Sequence, residues 1–260
     1  DQPGDHRPDP GCDMIGDYRI VVPTKGRSGI IGDRAYKALP SATFLVYEKD
    51  RDEYAKVIPE DQIVTTSALG TAKAFRAAMD LFDERTIVIA GDEFFRVRCM
   101  VGQRMRVYDD PADILAIIEN GIAISRDLGT DLFYWNASPN PIYARPESPF
   151  SLFGGFPGGC FGVHGREINF DTALTTREDV DLMMQAYLHS RFIWSDLRFY
   201  FDCGDTWKGG GGNQGIRTNQ TEVEDAKYLQ RKWGGYLELF AKGRLLKKTT
   251  GGKAKILRKN

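Results

Sequence analysis

The run Thr86-Ile-Val-Ile-Ala-Gly-Asp-Glu93 constrains this chain more than any other stretch. Ile87, Val88 and Ile89 offer no polar side to water, so the run reads as a strand covered on both faces, as in a sheet sandwiched between helices. It breaks at Gly91 and passes directly into two carboxylates, Asp92 and Glu93. Open α/β sheets bind ligands outside the carboxyl ends of their strands. A carboxylate pair there suits a hard cation, Mg²⁺ or Mn²⁺, that keeps open positions for phosphate oxygens. The plain alternative is an acidic turn after a buried strand; the strand-end position favours a functional site. Because side chains of adjacent residues diverge, one acid is expected to meet the metal directly and the other to act through water or a ribose hydroxyl.

The flanking sequence supports a layered sheet. Strands are expected over 18–22, 43–47 and 63–66, and helices over 31–39, where Pro40 stops the helix, and 70–81. This order implies an α/β fold with a mostly parallel central sheet flanked by helices. Further on, 114–124 has helical spacing, 133–137 and 160–164 read as strands, and 178–189 and 221–233 as helices. Thr175-Thr176-Arg177-Glu178 and Thr221-Glu-Val-Glu each fit a capping box. A single globular domain over residues 17–241 is expected, with a flexible leader at 1–16 and a basic tail at 242–260.

Charge sharpens that division. The overall net charge of −1 conceals eight Lys or Arg and no acid from Lys242 to Asn260, which leaves the first 241 residues at −9. A basic end on an acidic body is either a nucleic-acid contact or a solvated tail. Cys12, Cys99, Cys160 and Cys203 lack close paired spacing and read as thiols of a reducing compartment, and His6, His164 and His189 make a zinc site improbable. No apolar run reaches the roughly 18 residues of a membrane span, and the first residues do not resemble a secretory signal. A cytoplasmic location is expected, with no membrane partner.

Other residues have chemistry available, each beside a plainer reading. The loop Pro23-Thr24-Lys25-Gly26-Arg27 can hold a diphosphate, or be an ordinary turn. Gly70 opens a helix whose N-terminus favours anions, with Lys73 and Arg76 on one face of it. Glu178 reads as a capping residue, whereas Asp179 is freer to enter a cleft as a general base. Gly209 to Gly215 followed by Arg217 is a lid over a phosphate or a linker. The aromatic group Phe192, Trp194, Phe199, Tyr200, Phe201 and Trp207 reads as core more readily than as a base-stacking platform.

Taken in order, these motifs resemble the GT-A class of nucleotide-sugar glycosyltransferases over residues 17–240. Within it, the chain resembles the TET-associated glycosyltransferases of phages, through Leu69-Gly70 to Arg76, Gly91-Asp92-Glu93, Glu178-Asp179-Val180-Asp181 and the glycine run ending at Arg217. That resemblance implies hexosyl transfer from a UDP-sugar onto the hydroxymethyl group of 5-hydroxymethylcytosine or 5-hydroxymethyluracil in DNA, in a host cytoplasm if the chain is phage-encoded. It assigns Pro23, Thr24, Arg27 and Glu48 to the nucleotide, and Gly70, Lys73, Arg76 and Arg217 to the diphosphate side. Asp92 and Glu93 would stand in for an Asp-x-Asp motif holding Mg²⁺ or Mn²⁺, with Asp179 as the base of an inverting transfer beside Glu178. Lys247, Lys248, Lys253 and Arg258 would hold the DNA backbone. Transfer to a protein or small-molecule hydroxyl, metal-dependent nucleotidyl transfer, and non-catalytic binding of nucleotide or DNA remain the alternatives.

Overall fold

Strands that are apolar on both faces need a cover on each side, and the chain supplies helices in alternation to provide it. The computed structural model describes residues 17–101, 104–136, 148–153, 157–203, 216–240 and 244–247. The leader at 1–16, the glycine run 209–215, Trp207 and the tail positions Lys248, Lys253 and Arg258 lie outside the described residues.

Strands β1 (Tyr18–Thr24), β2 (Thr43–Tyr47), β3 (Ile63–Thr66) and β4 (Thr86–Ala90) form a parallel block in the order β3-β2-β1-β4. The remaining strands are β5 (Arg96–Val101), β6 (Arg104–Tyr108), β7 (Leu132–Asn136), β8 (Phe150–Ser151), β9 (Cys160–His164) and β10 (Trp194–Asp202). They extend the block as β9-β7-β10-β5-β6, with β8 on β10, to complete one ten-stranded sheet. The mostly parallel arrangement expected from the sequence holds through β4. Antiparallel partners enter with β9, which pairs that way with both β4 and β7. Gly162 permits this junction, since a Cβ there would lie 2.1 Å from the Phe133 ring.

The helices are α1 (Ser28–Ile31), α2 (Arg51–Tyr54), α3 (Thr71–Leu81), α4 (Pro111–Leu128), α5 (Glu178–His189) and α6 (Asn219–Trp233). Successive strand residues point to opposite faces, and the core divides accordingly. Val21, Leu45, Ile87 and Ile89 pack against α3, α5 and α6, through Met79, Met183 and Leu229. Val22, Phe44, Val46 and Val88 pack on the other face against Ile31, Tyr54, Ile114 and Ile118. Every residue of β4 is buried, as its apolar run requires.

Some elements differ from expectation. The helix expected over 31–39 is broken: α1 passes into a wider turn, Gly32–Tyr36, and Arg34 leaves helical dihedrals at φ −115°, ψ −112°. The Arg34 guanidinium lies over the Phe95 ring, 4.4 Å from its centroid. Most of the aromatic group belongs to β10, where Trp194 and Phe201 are core residues. A separate antiparallel pair, β11 (Leu237–Phe240) with β12 (Arg244–Lys247), straddles the expected start of the basic tail and includes Lys247. Among the described residues no helix is long and apolar enough to cross a membrane.

Candidate functional site

The parallel block delivers four strand ends to one place. A cleft of about 210 Å³ lies there, lined by Pro23 and Thr24 of β1, Tyr47 of β2, Thr66 of β3 and Ala90 of β4, with Asp92 just beyond. The loop after β1 adds Lys25 and Arg27, and the start of α3 adds Gly70, Thr71 and Ala74. Gly70 takes φ +99°, a backbone that side-chain-bearing residues rarely adopt, and no side chain caps the helix there. The α3 N-terminus therefore carries its positive dipole end into the cleft wall.

Arg27 organises the acidic pair. Its Nη1 donates to Asp92 Oδ1, and its Nη2 lies 3.0 Å from Glu93 Oε1. The turn Gly91–Phe94, closed by Phe94 N–H donating to Gly91 O at 3.1 Å, brings the two acids to one guanidinium. This corrects the expectation that the adjacent side chains diverge, which holds along a strand but not around a turn. The second Asp92 oxygen is also taken, by the Thr24 hydroxyl at 2.9 Å. Thr24 Oγ1 in turn lies 2.7 Å from the Tyr54 hydroxyl, which accepts from Arg27 N–H at 2.9 Å. Since Thr24 spends its hydrogen on Asp92, Tyr54 must donate to Thr24. Tyr54 is wholly buried, and nothing in its local sequence marks it as part of this cluster. Burial raises the proton affinity of Asp92 and Glu93, while Arg27 opposes the rise in both and the Thr24 hydroxyl opposes it in Asp92.

Both carboxylates are engaged by Arg27, and the described residues contain no cluster of three His, Cys, Asp or Glu around them. A dication at this pair would therefore have to displace Arg27 and take most of its ligands from phosphate oxygens and water.

The second acidic pair is built differently. The capping box expected at 175–178 does not form: Arg177 sits in the left-handed region at φ 64°, ψ 20° and no side chain caps α5. Thr175 and Thr176 are instead held by Asp225 of α6, whose Oδ2 accepts from both backbone N–H groups and from the Thr176 hydroxyl, at 2.7–3.1 Å. The capping box of α6 likewise starts three residues earlier than expected, with Thr218 as cap and Thr221 as its partner. Asp181 faces inward, fully buried, bonded to Gln185, Lys232 and Trp233. Glu178 and Asp179 remain part-exposed and make no ion pair among the described residues. Burial first, then the Asp179 charge, pushes Glu178 up to about 7; burial also raises Asp179, whose Oδ1 accepts from Val180 N–H at 2.8 Å.

Of the residues proposed from sequence, the cleft gathers Pro23, Thr24, Arg27, Gly70 and Asp92, with Glu93 behind Arg27. It does not gather Glu48, which is exposed while its neighbour Tyr47 lines the wall. Lys73 is exposed too, and Arg76 pairs along the helix with Asp80 at 2.7 Å, leaving Ala74 and Phe75 as the lining. Arg217 bonds Glu222 at 2.6 Å and acts electrostatically on both Glu178 and Asp179. Beside it, Ile216 Cδ1 lies 3.3 Å from where a Gly70 Cβ would be. The segment 216–217 thus links the cleft to the α5 acids.

No protein-family model matches the chain, and no curated protein does. Among solved structures, it is similar to residues 1–349 of TarS from S. aureus, crystallised in complex with UDP-GlcNAc, with TM-score 0.50 and 11% identity over 82% of this chain. The matched region is 66% of the TarS chain, just under two thirds of its length. A mycobacterial protein matches over 88% of this chain and 82% of its own, with TM-score 0.49 and 10% identity. The likeness to TarS is one of fold, and the fold is a GT-A-like α/β sheet flanked by helices.

Proposed function

We propose that the chain is a glycosyltransferase that takes a hexose from a nucleoside-diphosphate sugar, UDP being the nucleotide expected. The observation that carries this reading is the pairing of two unlike sites. A cation-lined cleft at four parallel strand ends suits a diphosphate, and a part-exposed carboxyl pair, joined to it by segment 216–217, suits proton removal. The crystallised TarS complex supports the donor class through the shared fold.

Asp179 takes the proton of an acceptor hydroxyl, and the freed oxygen attacks the anomeric carbon from the face opposite the diphosphate. The bond from that carbon to the β-phosphate oxygen breaks, and its electron pair leaves with the diphosphate. The acceptor is the hydroxymethyl group of 5-hydroxymethylcytosine or 5-hydroxymethyluracil in DNA. This is supported by the motif resemblance and by the eight cations of residues 242–260 on a chain otherwise at −9. A target base within a duplex must first be flipped out, at a cost of a few kcal/mol.

The test is to incubate hydroxymethylcytosine DNA and hydroxymethyluracil DNA separately with a panel of activated sugars, then weigh the digested nucleosides. A hexose mass increment with release of nucleoside diphosphate supports the reading; pyrophosphate release instead would indicate nucleotidyl transfer. Truncation after Lys247 spares β12 and removes Lys248, Lys253 and Arg258. It is expected to weaken DNA binding and flatten its salt dependence, whereas unchanged affinity for modified DNA would count against a nucleic-acid acceptor.

A further inference from the structure

The Arg27 guanidinium stands between Asp92 and Glu93, where a cation held by that pair would have to sit. We propose that Arg27, with Lys25, is the cation that holds the donor diphosphate, and that Asp92 and Glu93 are positioning residues for Arg27 rather than metal ligands. This rests on the nucleotide-sugar reading of the cleft and deepens it.

The geometry supports this assignment in three ways. Each carboxylate engages a different terminal nitrogen of the guanidinium, which fixes the plane of the fork as well as its place. The Arg27 backbone is fixed separately, by its N–H to the buried Tyr54 hydroxyl and onward through Thr24 to Asp92, so both ends of the residue are tied to one network. A flexible surface arginine has no need of such anchoring. Lys25 lines the same cleft with its Nζ 5.4 Å from the Tyr47 ring centroid, and the α3 N-terminus, where no side chain caps the helix, contributes to its lining.

For the chemistry, a guanidinium offers five N–H donors and stays protonated at any working pH. As the bond between the anomeric carbon and the β-phosphate oxygen breaks, that oxygen gains charge, which Arg27 and Lys25 neutralise electrostatically. No proton moves to the leaving group; the acceptor's proton goes to Asp179. A preorganised cation in a partly desolvated cleft stabilises such charge without reorganising during the reaction.

The test is calorimetric titration of the full chain with UDP, and with GDP, CDP and ADP in parallel, in EDTA and in Mn²⁺. Mn²⁺ binding is followed separately by electron paramagnetic resonance. The expected result is a nucleoside diphosphate whose affinity changes less than about threefold between the two conditions, with no bound-Mn²⁺ signal from the protein alone. R27A should weaken binding by about tenfold or more, and R27K, which keeps the charge but loses the fork, should fall between. Should R27A fold poorly, D92N supplies the check: it loosens Arg27 and should weaken UDP equally in EDTA and in Mn²⁺. Binding abolished by EDTA, restored by Mn²⁺ and made metal-insensitive by D92N would overturn this proposal and leave the nucleotide-sugar reading standing. Failure of every nucleoside diphosphate to bind in either condition would sink both.

Discussion

Asp92-Glu93 and Glu178-Asp179 are both adjacent acids beside a regular element, yet their surroundings set them apart. The first pair shares Arg27 and, through Thr24 and Tyr54, a closed set of hydrogen bonds. The second has no ion pair among the described residues, because Asp225 holds the preceding threonines and Asp181 takes the lysine and tryptophan of α6. Burial raises the proton affinity of all four acids, opposed by Arg27 in the first pair, and in the second it pushes Glu178 up to about 7. A carboxyl whose charge is met by a fixed cation serves to hold that cation. One half-buried and met by a more distant charge, as Glu178 is by Arg217, can exchange a proton at neutral pH.

The sharpest way to break this contrast is to neutralise one member of each pair. D179N is expected to lower kcat by about 10²–10⁴-fold while leaving UDP affinity near that of the unmodified chain, as loss of a general base requires. D92N should do the reverse, raising the donor KM and Kd more than it lowers kcat. If steady-state kinetics and titration gave both variants the same profile, the division of labour would be wrong.

Stability provides the next largest difference. R27A strands two carboxylates in a low-dielectric turn and should cost about 3 kcal/mol, read as a lowered urea midpoint at pH 7. Removing Arg217, whose side chain is about half exposed and whose partner Glu222 also pairs with Arg177, should cost under about 1 kcal/mol.

The pH dependence isolates the α5 pair. Glu178 binds its proton more tightly folded, at about 7 against an ordinary 4.5, so its contribution to stability is full below 4.5 and is lost as pH rises through 7. Part-exposure reduces the effect to about 2 kcal/mol. Thermal unfolding should show a melting temperature that falls between pH 5 and 8, and E178Q should flatten that slope. Transfer activity should rise over the same interval as the coupled pair ionises. The smallest expected effect is that of Y54F, about 1 kcal/mol with a modest loss of UDP affinity, from removing the hydroxyl that joins Arg27 N–H to Thr24.

Much of the fold was legible because its period is local. The strands at 43–47, 63–66, 86–90 and 160–164 and the helix at 178–189 lie where apolar runs and spacing predicted. β5 is equally readable in principle, since Arg96, Val97, Arg98 and Cys99 alternate as a half-buried strand should. The break after α1 could not be read locally, because Arg34 leaves the helix beside Phe95, some sixty residues on.

The sequence by itself determined which residues could carry charge at the strand ends, since an apolar run must stop where its covering layers stop. On that basis it put Asp92 at a strand end; Thr24, Arg27 and Gly70 came from the resemblance, and all four line the cleft. Tertiary structure alone decided what each charge meets: that Arg27 bridges Asp92 and Glu93, that Tyr54 closes their network, and that Asp225 displaces the capping box while Glu178 and Asp179 feel Arg217 through its field. Proton affinity and metal fit depend on distances between residues far apart in the chain, and no local pattern encodes those distances.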